Sequence, residues 1–234
     1  MNYAIPDRAN ASDKPAGVTS GTAMTELTKT VHLVDDDEAV RRSASLILRT
    51  TGYIVKTYSS GVELLDATQD IAPGCILMDV RMPHMDGLEV QAELRDRGLS
   101  MPVIVMTGHG DVGLAVRAMK AGAIDFLEKP FQKSQLIEAI EDGFARMELA
   151  ARRHAHKEEA RARLAVLTPR ELDVLIGLVE GRPNKAIAQA LGISPRTVEV
   201  HRANLMAKLD VPSLSDVLRI AFAAGLASAP ENLD

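Results

Sequence analysis

Five short apolar runs, at residues 31 to 34, 53 to 57, 75 to 78, 102 to 106 and 123 to 127, are each separated from the next by a stretch long enough for one helix. Strands covered on both faces read as continuous apolar runs, and the connection between parallel neighbours in one sheet is a crossover helix. The intervening segments, at about 38 to 51, 61 to 67, 86 to 97, 111 to 121 and 133 to 150, carry helical patterns. Five βα units follow, hence an α/β doubly wound five-stranded parallel sheet over residues 30 to 145.

The rest of the chain reads differently. Residues 1 to 29 mix Ala, Ser, Thr, Pro, Asp and Lys without periodicity, the composition of a disordered tail. Residues 146 to 165 are rich in Ala, Arg, Glu and His, lack Gly and Pro, and pair Glu159 with Arg163 at i,i+4, so the fifth helix is expected to run on into a helical linker over 146 to 163. From 164 to 229 four shorter helices are punctuated by start signals: Thr168 with Pro169 and Glu171, Asn184, Ser194 with Pro195, and Ser213 with Asp216. Gly181 and Gly192 stop the first two. The second domain is therefore small and all-α.

No run approaches the roughly 20 apolar residues of a membrane span, and the first 30 residues lack a signal-peptide core, so a cytoplasmic protein with no membrane partner is expected. Cys75, the single cysteine, lies in the apolar run Cys75, Ile76, Leu77, Met78 and reads as a buried thiol. The net charge of −5 is unevenly spread: residues 30 to 150 carry 12 basic and 19 acidic side chains, residues 151 to 227 carry 12 basic and 8 acidic. The C-terminal part is thus the better candidate for a polyanion.

In a parallel α/β sheet, residues just after the strands converge at the carboxyl edge. Here the first run ends in Asp35, Asp36 and Asp37, the third in Asp79, the fourth in Thr107, and the fifth is followed by Lys129 and Pro130. Clustered carboxylates favour a hard divalent cation such as Mg²⁺. A lysine and a hydroxyl on the same rim suit a phosphoryl group attached to one carboxylate.

The motifs VDDDEAVR, MDVRMPHMDG, MTGHGD and FLEKPF resemble those of response-regulator receiver domains over about residues 30 to 150. The resemblance implies a flavodoxin-like fold with Asp79 as phosphoacceptor and Mg²⁺ held by Asp35, Asp36, Asp79 and the Arg81 carbonyl. It also implies that Thr107 and Lys129 contact the phosphoryl oxygens and that Phe126 is the switch aromatic. The same resemblance implies that Arg81 and His109, two residues beyond the phosphoacceptor and the switch threonine, occupy the positions that tune water attack on the acyl phosphate.

The segment LTPRELDVLIGLVEGRPNKAIAQALGISPRTVEVHRANLMAKL resembles the LuxR/NarL-type helix-turn-helix. On its second motif helix Val198, Leu205 and Leu209 share an inward face, leaving Arg196, Glu199, Val200 and Ala203 outward. In a major groove, Arg suits guanine, Glu cytosine N4, and an aliphatic group a thymine methyl. Lys185, Thr197 and Arg202 are better placed for phosphates. His201 reads as half-buried packing, and neither His154 with His156 nor His84 with His109 completes a transition-metal set.

Jointly the two modules resemble the FixJ subfamily of transcription activators, whose GHGDV...AMKAGAIDFLEKPF and SPRTVEVHRAN stretches are echoed here. That likeness implies a sensor histidine kinase, double-stranded promoter DNA and RNA polymerase as partners. It also implies a homodimer, on phosphorylation, through the fourth helix and fifth strand, where Val116 and Lys120 share a face. Two other readings stay open. A dehalogenase-type phosphatase also forms an aspartyl phosphate but wants a second Asp two residues after the nucleophile, where this chain has Arg81. A static acidic pocket would not require Thr107 and Lys129.

Overall fold

The computed structural model describes residues 29–108 and 112–226, with the side chain of Val112 left aside. Strands β1 (Thr30–Val34), β2 (Ile54–Tyr58), β3 (Gly74–Asp79), β4 (Val103–Thr107) and β5 (Asp125–Glu128) form one parallel sheet in the order β2-β1-β3-β4-β5. The inner strands β1, β3 and β4 are buried at every position, while the edge strands β2 and β5 carry exposed residues. This is why the inner three read as the most apolar runs, with His32 of β1 buried by its bonds to the Tyr58 hydroxyl and the Ala72 carbonyl.

Helices α1 (Glu38–Thr50) and α5 (Lys133–Leu164) cover one face, where Leu48, Leu136, Ile140 and Phe144 pack on Leu33, Leu77 and Ile104. Helices α2 (Gly61–Asp66), α3 (Gly87–Asp96) and α4 (Val112–Lys120) cover the other, with Leu64, Val90 and Leu94 against Val34, Ile76 and Met78, and Ala118 against Val80 and Val105. Leu48, Leu64, Leu136 and Ile140 are wholly buried, and each such side chain contributes about 1.5–3 kcal/mol relative to exposure. Cys75 is buried in the first of these clusters, and desolvation pushes its thiol up to about 12, as expected for an inert core residue.

Three carboxyl-side loops run directly into capped helices. Asp37 accepts from Ala39 N at 2.7 Å, Ser60 from Glu63 N at 3.2 Å, and Asp86 forms a reciprocal capping box with Glu89. Each cap satisfies amide groups that a helix start leaves without partners, so the loop geometry beside the sheet edge is fixed locally.

In the C-terminal part, α6 (Pro169–Val179), α7 (Asn184–Leu191), α8 (Pro195–Leu209) and α9 (Leu214–Ala224) surround Val174, Leu175, Ile187, Val198, Leu205, Leu209, Val217 and Ala221. The Thr168, Ser194 and Ser213 caps form as the sequence suggests. Gly192 ends α7 at φ 67°, a conformation that favours glycine, and this permits the tight turn into α8. Two local expectations fail. The residue preceding α7 is Pro183, which offers no side-chain cap, and Asn184 is already helical, its Oδ1 accepting from Arg202 across the domain at 3.1 Å. Among the described residues Glu159 and Arg163 form no ion pair, because the Arg163 guanidinium reaches the Leu209 carbonyl instead.

Helix α5 is continuous through the segment expected to be a linker. Residues 148–159 are all exposed, so this stretch touches neither core, whereas Ala160 and Leu164 are buried among α6 to α9. No helix among the described residues is long and apolar enough to cross a membrane.

Candidate functional site

The strand order reverses direction around β1 and β3, and the crevice at their carboxyl ends gathers the acidic residues. One carboxylate oxygen from each of Asp35, Asp36 and Asp79 lies within 4.8 Å of the others. Asp35 is fully buried, Asp79 is buried at 8% exposure, and Asp36 faces solvent. Lys129, two residues after the Phe126-Leu127 stretch of β5, extends its ammonium between two of them, 2.6 Å from Asp35 Oδ2 and 2.8 Å from Asp79 Oδ2.

Burial, with a smaller push from the Asp79 charge, holds the Asp35 carboxyl above its usual range, opposed by the hydrogen bonds from Lys129 and from the Asp37 amide. Burial would push Lys129 down, but the two carboxylates outweigh it and hold the ammonium above its ordinary value. Three carboxylates against one ammonium leave negative charge over, which is what a divalent cation or a transferring phosphoryl group with its cation would balance.

Several contacts fix this arrangement. The Arg41 guanidinium donates to the Asp35 carbonyl at 2.6 Å, and the Asp37 amide to Asp35 Oδ1 at 2.9 Å. The Arg81 amide donates to Asp79 Oδ1 at 3.3 Å. A Cβ at Gly87 would sit 2.6 Å from the Asp79 carbonyl oxygen, so the first turn of α3 approaches the loop this closely only because residue 87 has no side chain. An open cleft lined by Asp36, Arg81, Pro83, Asp86 and Arg117 adjoins the cluster.

Thr107 ends β4 on the same rim at 3% exposure, and its carbonyl accepts from the Lys129 amide at 2.8 Å. Phe126 lies on the neighbouring strand, paired with Val105, and its ring is 47% exposed. On α4, Val116 and Met119 are exposed large apolar residues, with Lys120 exposed beside them. His109 falls outside the described residues.

In the C-terminal part, Lys185, Arg196, Glu199, Val200 and Ala203 are exposed, and Thr197, His201 and Arg202 are half-buried. Val198, Leu205 and Leu209 are buried, so the inward and outward faces of α8 fall as the periodicity predicts. Arg196 and Glu199 pair with each other at 3.2 Å. Arg202 is drawn to Asn184, a partner that residue spacing does not reveal. Glu171 forms the capping box with Thr168 that the sequence suggests, but its burial and the bond its carboxylate accepts from Lys208 of α8 at 2.7 Å are equally invisible there. Burial would raise its pKa, but Lys208 and Thr168 outweigh that and hold it at about 2.

A five-stranded α/β domain with this acidic rim and lysine, followed by a helix-turn-helix, defines a two-component response regulator. The response regulator receiver domain matches residues 31–141, and the luxR family of bacterial regulatory proteins matches residues 165–221. The transcriptional regulatory protein FixJ of Azorhizobium caulinodans is 49% identical over 86% of this chain and 95% of its own length. FixJ of Bradyrhizobium diazoefficiens is 44% identical over 84% and 96%, and the response regulator TodT of Pseudomonas putida 38% identical over 84% and 87%. Among solved structures, full-length FixJ from B. japonicum covers 86% of this chain and 98% of that one at 43% identity and TM-score 0.54. The response regulator StyR covers 83% and 98% at 38% identity and TM-score 0.65. The chain belongs to the FixJ family of response regulators and is a phosphorylation-activated transcription regulator. Its relatives are regulators rather than enzymes, which removes the phosphatase reading.

Proposed function

We propose that, in the cytoplasm, Asp79 accepts a phosphoryl group from the phosphohistidine of a sensor histidine kinase, and that this step pairs two chains through α4 and β5 so that two α8 helices read promoter DNA together. The observation that carries the reading is the Lys129 ammonium bridging Asp35 and Asp79 within a cluster of three carboxylates. The donor set fits Mg²⁺, a hard cation that takes oxygen ligands, and Asp35, Asp36, Asp79 and the Arg81 carbonyl would hold it. When bound, the ion neutralises charge on the transferring group.

The Asp79 carboxylate attacks phosphorus, a P–O bond forms, the P–N bond breaks, and the electron pair returns to the donor imidazole. Lys129 exchanges its contact with the Asp79 carboxylate for one with the phosphoryl oxygens. The Thr107 hydroxyl, at the end of β4, turns toward the same oxygens, and the space it leaves admits the outward Phe126 ring. The change of surface beside Val116, Met119 and Lys120 favours pairing of two receiver domains.

In the second domain, running from about 164 to 229 after the helical segment 146 to 163, Arg196, Glu199, Val200 and Ala203 face base edges. Lys185, Thr197 and Arg202 face phosphates. Bound there, the activator recruits RNA polymerase. Incubation with acetyl phosphate and Mg²⁺ tests the first step: the native chain takes up one labile equivalent and Asp79→Asn takes up none. Full labelling of Asp79→Asn refutes the assignment.

A further inference from the structure

The carboxyl ends of two helices in the DNA-binding domain share one device. At the end of α8, the carbonyls of Met206 and Ala207 accept from the amides of Val211 and Asp210. The Leu209 carbonyl, beyond the reach of these local bonds, accepts from Arg163 Nη2 at 3.0 Å. At the end of α9, the carbonyls of Ala221 and Phe222 accept from Leu226 and Gly225, and the Ala224 carbonyl accepts from Arg161 Nε at 3.3 Å. Helix termini leave their last carbonyls without intrahelical partners and carry partial negative charge, so a guanidinium is the side chain best suited to both. Both arginines come from the last turns of α5 and lie between the buried Ala160 and Leu164, the two α5 residues that join the core of this domain.

Helix α8 is therefore held by one polar strap to each of three neighbours: Arg163 from α5, Glu171 of α6 through Lys208, and Asn184 of α7 through Arg202. The straps to α6 and α7 lie within the segment that matches the luxR family, residues 165–221, and the Arg163 strap lies outside it. We infer that Arg163 is a positioning residue for DNA recognition: from the helix that begins four residues after Lys129, it fixes the end of α8 and hence how the outward side chains of that helix meet base edges. It does this without touching DNA. Loss of the strap leaves α8 folded, since Val198, Leu205 and Leu209 remain buried, but frees its carboxyl end to shift against α5.

This rests on α8 being the recognition helix, and the test separates the two claims. A duplex is selected from a random pool by the full-length protein activated with Mg²⁺ and beryllofluoride, and binding to it is compared with binding to a random-sequence duplex over a range of salt. The variants are Arg163→Gln, Arg163→Lys, Val200→Ala and Lys185→Ala, each checked for an unchanged helical circular dichroism spectrum and melting of the receiver domain. Arg163→Gln is expected to lower the ratio of selected to random binding about fivefold, a fraction of the discrimination that one base contact carries. The salt dependence should stay unchanged, and Arg163→Lys, which can still donate to a carbonyl, should restore part of the ratio. A salt slope flattened by about 0.9 would instead make Arg163 a phosphate contact and overturn the inference, as would an unchanged ratio in a series where Val200→Ala does lower it. If Val200→Ala leaves the ratio unchanged, the reading of α8 as recognition helix fails, and the inference about Arg163 fails with it.

Discussion

Replacing Glu171 with glutamine should make the stability of the DNA-binding domain lose its acid dependence. The carboxylate is 3% exposed and titrates at about 2 in the folded chain against an ordinary 4.5. At 1.36 kcal/mol for each pH unit that difference corresponds to about 3 kcal/mol of stability. Lys208 is 38% exposed, and water screening its ammonium brings the figure to about 2–3 kcal/mol. A group whose folded pKa is depressed contributes fully above its unfolded value, so the term is complete above pH 4.5 and drains away as pH falls toward 2. The chain has no tryptophan, and Phe222 on α9 is 50% exposed, so Phe222→Trp gives a fluorescent reporter confined to this domain. Urea unfolding of the reporter chain, with and without Glu171→Gln, should show a stability gap of about 2–3 kcal/mol at pH 6 that narrows to about 1 kcal/mol at pH 3. A gap of the same size at both pH values would show that the ion pair with Lys208 does not hold the carboxylate charged, and would refute the reasoning.

Lys129→Ala should still accept phosphoryl groups, slowly, but shift the dimerisation of the phosphorylated chain to higher protein concentration, measured by sedimentation with acetyl phosphate. Val116→Asp should stay folded yet fail to dimerise with beryllofluoride, because a carboxylate in a closing apolar contact costs several kcal/mol to desolvate; a folded mutant that still dimerises excludes this face of α4. Cys75, held at about 12 by burial, should resist alkylation at pH 8 in the native chain and react fully in urea, as followed by mass spectrometry.

The sheet was legible because its inner strands are buried on both faces, so the apolar runs mark them within a residue or two: 75 to 78 against Gly74–Asp79, 102 to 106 against Val103–Thr107. The edge strand β5 was placed less well, at 123 to 127 against Asp125–Glu128, since Asp125 and Glu128 are not buried and break the apolar signal. The acidic rim was legible for a topological reason, because parallel strands deliver the residues after them to one edge. What the sequence concealed are contacts that depend on side-chain reach across elements. Arg163 had an obvious local partner in Glu159, and Arg202 looked like a phosphate contact. Arg163 meets the Leu209 carbonyl instead, and Arg202, whatever it does on DNA, also reaches the Asn184 side chain. Lys208 and Glu171 lie 37 residues apart, and no periodicity connects them.

The exposed stretch of α5, residues 148–159, has a mechanical meaning. A helix whose residues all face solvent and join neither core behaves as a shaft, and a shaft transmits angle as well as distance. Each residue advances it by about 1.5 Å and turns it by about 100°. Single insertions or deletions here would swing one domain around the other while barely changing their separation, and a seven-residue insertion, nearly two full turns, would return them close to the starting angle about 10 Å farther apart. In such a chain the spacing between domains is tolerant and the phase is strict, so natural length variation in this segment should come in whole turns.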